Sequence, residues 1–218
     1  ELMLPNWDIH PEMITHTRLI DLRTGRPFDK TSQATMENWY PQSKKSADEL
    51  AAYLAYALRI LKNCGLPCQG VTTPGGFGNL VKPELSQAVG QAVRDVFGAA
   101  ALPHYFKYVS DGKESTQPKL ECVTGLDTND PRFVVNVPAG TGDWFGGWDG
   151  DEKPAPDRYA NSDASSGRIV DLIKRGEPAV MLCHWPGMYT HGTKKGFEAF
   201  KQVAVAIRKR FGDQTLWM

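Results

Sequence analysis

Residues 46–98 read SADELAAYLAYALRILKNCGLPCQGVTTPGGFGNLVKPELSQAVGQAVRDVFG. Ser46 followed three positions later by Glu49 is a capping box, and apolar residues recur behind it at Leu50, Leu54, Ala57, Leu58 and Leu61 with helical spacing. The pattern predicts a helix over 47–63, closed by Gly65 in the left-handed position common after a helix. Beyond Pro67 a short strand is expected over 69–73, running into the glycine-rich turn Pro74-Gly75-Gly76-Phe77-Gly78-Asn79. Pro83 in a first helical turn, followed by Leu85, Val89, Val93, Val96 and Phe97 and then Gly98, predicts a second helix. Helix, strand, turn and helix in this order open an α/β fold.

The pattern extends in both directions. Strands are expected over 104–109 and 133–137, with a weaker one over 119–123. A helix carrying Ile169, Val170, Leu172 and Ile173 should stop at Gly176, and an apolar strand over 179–183 should end at His184. A last helix over 194–211 places Phe197, Phe200, Ala204, Ile207 and Phe211 on one face, and 215–218 begins another strand. Toward the start, a short strand ends at 8–10, a turn falls at 24–27, and the polar stretch 29–45 reads as an ordered loop carrying Trp39, Tyr40 and Pro41. Residues 138–160 form a loop rich in Gly, Asp and Trp, too long to be a bare connection. The alternation of strands and helices predicts one domain over 1–218, a distorted α/β barrel of parallel strands joined by right-handed crossovers, incomplete at its ends.

With 218 residues, 41% of them hydrophobic, the chain can close one sizeable core. Lys plus Arg is 25 and Asp plus Glu is 25, so no basic excess points to nucleic acid or an anionic membrane. A neutral partner such as a sugar fits better. No apolar run approaches the ~20 residues of a membrane span, and the first residues lack the basic and apolar parts of a secretion signal. Of the four cysteines, Cys64 and Cys68 are spaced one residue too far apart for the redox pattern. Cys64 and Cys183 read as core thiols, with a Cys64–Cys68 disulfide as the alternative.

Chemistry concentrates in residues 7–18, WDIHPEMITHTR. Asp8, His10, Glu12 and His16 fall within nine positions of a chain holding five histidines. Imidazole and carboxylate bind zinc-type ions, and three such ligands with an open position make a catalytic site. His10, His16 and Glu12 are the candidate ligands for a divalent metal, zinc first, with Asp8 as a further candidate. The plainer alternative is a set of turn and cap residues beside surface histidines. In a parallel barrel the loops after strands carry the active site, which would gather this stretch with 72–79, 140–148 and His184.

These residues resemble the polysaccharide deacetylase family of carbohydrate esterases. Asp8-Ile9 followed by Thr15-His16 is similar to that family's His-x-x-x-His segment, with Glu12 where the first histidine would stand. Thr72-Thr73-Pro74-Gly75-Gly76 resembles its Arg-x-Pro-x-Gly motif with Thr72 in place of Arg. Asp143-Trp144 is similar to its Asp-Trp pair, and Leu182-Cys183-His184 to its Leu-x-His. The Asp-Asp motif that precedes these in the family has no counterpart before Asp8, so the chain reads as lacking a preceding segment, or as a diverged relative.

The resemblance implies a distorted α/β barrel, an extracytoplasmic setting, and metal-dependent removal of N- or O-acetyl groups from a sugar. It implies His184 as the acid for the leaving group, Asp143 as the carboxylate that orients it, and Asp8 as the base. Thr73, Pro74, Gly75 and Gly76 would line the substrate site, with Trp39, Trp144 and Trp148 offering faces for sugar rings. Two other readings stand beside it. One is an inactive deacetylase-like domain that binds carbohydrate or another partner; the other is a glycoside hydrolase using Asp143, Asp149 and Asp151, which would need an acid and a base or nucleophile facing across the bond.

Overall fold

The computed structural model describes residues 8–29, 32, 35–40 and 43–218. The expected strand before Asp8, and positions Lys30, Thr31, Gln33, Ala34, Pro41 and Gln42 of the expected loop, lie outside the described residues. The contacts divide the chain into two compact units, Glu1–Lys107 with Pro118–Val137, and Tyr108–Gln117 with Pro138–Met218.

The first unit begins with a two-stranded antiparallel ribbon, β1 (Ile20–Asp21) and β2 (Arg26–Pro27), folded around Gly25 at φ 67°. Helix α1 (Ala47–Asn63) starts where the capping box predicts. The Ser46 side chain accepts from the Glu49 backbone N–H, and the Glu49 carboxylate accepts from the Ser46 N–H. Leu50, Leu54 and Leu58 are fully buried, against helix α2 (Lys82–Phe97). Between these helices in sequence lies β3 (Gly70–Thr72), and after α2 come β4 (His104–Phe106), β5 (Lys119–Thr124) and β6 (Arg132–Asn136). They form one sheet in the order β3-β4-β6-β5, with α2 packed on it.

This is an open mixed sheet, and it corrects the expected parallel barrel. Strands β3, β4 and β6 run parallel, while β5 is antiparallel to β6. Only residues 125–131 join β5 to β6, and a parallel crossover needs about a dozen or more. That connection is a tight turn, with Gly125 at φ 65° and the Thr128 N–H donating to the Gly125 carbonyl. A local hairpin replaces a crossover there, and among the described residues β3 and β5 are the edges.

The second unit is built from helices α3 (Pro156–Tyr159), α4 (Arg168–Arg175), α5 (Trp185–Tyr189) and α6 (Lys195–Phe211). Their core holds Phe145, Tyr159, Val170, Val203 and Ile207, with Phe145 stacked on Tyr159 at 4.0 Å. The expected strand over 179–183 does not pair as one. It is tied at two points, Gly140 N–H to the Val180 carbonyl and Leu182 N–H to the Thr141 hydroxyl, and apolar character alone does not supply a ladder. Residues 215–218 are likewise irregular. The buried face of α6 uses Ala199, Val203, Ala206, Ile207 and Phe211, leaving Phe197 exposed. The long loop over 138–160 gains order from α3 and from close backbone approach: a Cβ on Gly146 would lie 2.5 Å from the Gly187 carbonyl oxygen.

All four cysteines are free. Cys64 and Cys183 are exposed, and Cys68 is the buried one, its thiol donating to the Gly70 carbonyl at 2.9 Å. Burial pushes the Cys68 thiol up to about 11, against the lowering effect of the Gly70 hydrogen bond, with the Asp8 charge adding to the rise. Alkylation of the native protein at pH 8, read by peptide mass spectrometry, is therefore expected to modify Cys64 and spare Cys68 until denaturant is added. Equal labelling of the two in the native state would contradict this placement.

Candidate metal centre

Strand alternation prepares the site. In the β3–β4 register Gly70 lies beside His104, Val71 beside Tyr105, and Thr72 beside Phe106. Val71 and Tyr105 are buried in the core, so Gly70, Thr72, His104 and Phe106 share the opposite face. The chain around Pro11 runs along the free side of β3, the Thr72 N–H donating to the Pro11 carbonyl at 3.1 Å. That bond brings Asp8 and His10 over Gly70.

Three ligand atoms meet there. His10 Nε2 is 2.9 Å from Asp8 Oδ2, His104 Nε2 is 3.2 Å from the same oxygen, and the two imidazole nitrogens are 2.9 Å apart. Asp8, His10 and His104 form a group that could hold a metal ion. In a tetrahedral zinc site with bonds of ~2.0 Å, ligand atoms stand about 3.3 Å apart, close to these separations. The second nitrogens fit as well: His104 Nδ1 is 3.2 Å from the Leu102 carbonyl, and His10 Nδ1 is 3.4 Å from the Thr72 hydroxyl. A Nδ1–H donated to Leu102 leaves the lone pair of His104 on Nε2, facing the carboxylate and the other imidazole, an arrangement that favours a shared cation. Burial lowers the His10 pKa below the ordinary histidine value; Asp8 opposes the shift and His104 adds to it. An open cavity of about 360 Å³ lies at the group, lined by Asp8, His10, Glu12, Thr72 and Phe106.

The segment bearing Asp8 and His10 is fixed by a residue far from any sequence motif. Glu37 is fully buried. Its Oε1 accepts from the Ile14 N–H at 2.8 Å and the Tyr53 hydroxyl at 2.7 Å, and its Oε2 accepts from the Thr15 N–H at 2.7 Å. A buried carboxylate is tolerated when its lone pairs are filled in this way. The same bonds hold a turn in which Met13 and His16 take positive φ values of 62° and 66°, a conformation costly for residues with a Cβ.

Of the proposed ligands, His10 joins the group and His16 does not. His16 Nε2 pairs with Glu12 Oε1 at 3.4 Å on the surface, and Glu12 lines the cavity. Asp8, expected as a base and as a further candidate ligand, offers an oxygen to the group. His104 was legible only as the start of a strand; its place beside Gly70 comes from the β3–β4 register. Thr73 and Pro74 are buried, while Gly75 and Gly76 lie against Asn38, with the Trp39 ring over Gly76. Lys107 Nζ is 3.4 Å from the Thr73 hydroxyl and from the Gly75 carbonyl, and burial, with Lys82 adding, pushes its pKa down to about 8.

In the second unit His184 Nδ1 donates to Asp143 Oδ2 at 2.7 Å, and the same oxygen accepts the His184 backbone N–H at 3.1 Å. Trp144 is a core residue, packed on Tyr159 and under the Arg158 guanidinium at 4.1 Å. Trp148 is 71% exposed. Asp151 pairs with His191 at 2.7 Å, and Asp149 accepts from the Asp151 N–H.

Comparison with protein-family models, with curated proteins and with solved structures found no match.

Replacing Glu37 by Gln turns one acceptor into a donor facing N–H and O–H groups. A loss of about 2–3 kcal/mol in urea unfolding is expected, the scale of hydrogen bonds to a charged group. Unchanged stability would show that Glu37 does not anchor the segment.

Proposed function

We propose that the protein is a metal-dependent hydrolase that removes acetyl groups from a carbohydrate. The observation that carries this reading is the convergence of Asp8, His10 and His104 at an open cavity, three ligands with room for a substrate. The acetylated sugar comes from the resemblance of the motifs at 8–16, 72–76, 143–144 and 182–184. Asp8, His10 and His104 would hold a divalent ion, zinc first, which would supply Lewis acidity toward an acyl carbonyl and a bound water.

The chain's own residues divide the remaining work. Asp8 Oδ2 and the two Nε2 atoms bind and orient. Glu12, the second carboxylate on the cavity, accepts the proton of the attacking water. Phe106 packs on the His10 ring at 5.2 Å between centroids, restricting its rotation and shielding it from water. Glu12 then returns the water proton to the departing amine or alcohol.

The test is metal analysis together with acetate release from N- and O-acetylated sugar oligomers. The purified protein should carry about one divalent ion per chain. His104→Ala should lose that ion and lower acetate release by more than the ~10–100-fold typical of outer-shell changes at metal sites, whereas His16→Ala should keep both. Zinc uptake with no acetate release from any acetylated sugar would overturn the deacetylase reading. It would favour the non-catalytic carbohydrate-binding alternative, to which the exposed Trp148, Trp185 and Tyr189 lend support.

Turnover has its own expectation. Glu12→Gln should retain the ion and lose most of the rate, and an unchanged rate would remove Glu12 from the mechanism.

A further inference from the structure

Nothing in the ligand group explains why two imidazoles from distant parts of the chain can close to 2.9 Å over a sheet. The answer lies beneath them. A Cβ built on Gly70 would stand 2.3 Å from His104 Nε2, 2.5 Å from His10 Nε2 and 2.6 Å from His10 Cε1. No carbon atom fits at such distances from ring atoms.

We propose that Gly70 is the positioning residue of this centre: its missing side chain is the space into which the two ligand nitrogens converge, and any side chain there drives them apart. The inference rests on the metal-binding reading and deepens it, because it names what sets the spacing of the ligands.

Several features separate this role from an ordinary backbone requirement. Gly70 is not among the glycines with positive φ, so an L-residue can adopt its conformation. It sits within β3, paired with His104 in regular parallel register, where a methyl group suits the backbone. The closest atoms to the added carbon belong to the ends of the two imidazoles and not to the main chain. Side-chain ends can swing away at small cost, so a methyl group here should spare the fold and displace the nitrogens. Gly146 is different, since its close neighbour is a backbone carbonyl.

The experiment is zinc titration of the full chain and of Gly70→Ala, with cobalt absorption as the readout of ligand geometry and thermal unfolding of the metal-free proteins as the readout of the fold. Gly70→Ala should keep the melting temperature within a few degrees, bind zinc at least tenfold more weakly, and lose or shift the cobalt d–d bands. Zinc affinity and cobalt spectrum equal to wild type would overturn the proposal.

If Gly70→Ala is instead strongly destabilised, the double variant Gly70→Ala/His10→Ala decides the matter. Removal of the imidazole should restore stability if the ring was the obstacle, and a persistent loss would overturn the assignment. Failure of the wild-type chain to take up zinc would sink the metal reading alone. Crystal structures of the metal-free wild type and Gly70→Ala would still test the displacement, with unmoved His10 and His104 rings counting against Gly70.

Discussion

A single buried carboxylate holds in place the segment that carries Asp8 and His10. Glu37 gathers the N–H groups of Ile14 and Thr15 and the hydroxyl of Tyr53 on α1, so a short irregular segment is fastened to a helix by a charge that cannot return to water without losing them. Carboxylates are expensive to bury and expensive to strip of partners once buried. The pucker of the chain at Met13 and His16, unfavourable in isolation, is held by this anchor. What precedes it, from Asp8 to Glu12, is thereby set beside the edge of the sheet, and the bond from Thr72 to Pro11 completes the alignment. The ligand group follows from these two ties and from the empty space at Gly70.

Local patterns in the chain carried the helices well. The capping box at Ser46, Pro83 near the start of α2, and the glycines after α1 and α4 each act within a few residues, and the corresponding helices occur at those places. The arrangement of strands was less legible because pairing is non-local. Residues 119–124 carry the same β-branched and apolar signal whether they run parallel or antiparallel, and the short turn at Gly125 decides between the two. Residues 179–183 are as apolar as a buried strand, but in the second unit they meet only isolated partners. Alternation of strands and helices is compatible with hairpins as well as with crossovers, and it does not by itself close a barrel.

The site was half legible. His10 and Asp8 stood out because two histidines and two carboxylates crowd one short stretch, and the same crowding suggested His16, which instead pairs with Glu12 at the surface. His104 gave no local signal, since a histidine opening a strand is ordinary, and its meaning lies in the register with Gly70. Glu37 sat in a polar stretch that offered no reason to bury it. Both omissions have one cause: a residue recruited across the chain leaves no mark beside itself.

That recruitment bears on how the centre comes into being. The two imidazoles are 94 positions apart, and the third ligand belongs with the earlier of them. No excised peptide of ordinary length could contain the set, and local helix formation alone cannot assemble it. The centre requires β3 and β4 to be paired across the α2 connection, a contact of high sequence separation whose loop-closure entropy must be met first. The pair of histidines therefore depends on the completed β3–β4 pairing and on no single helix.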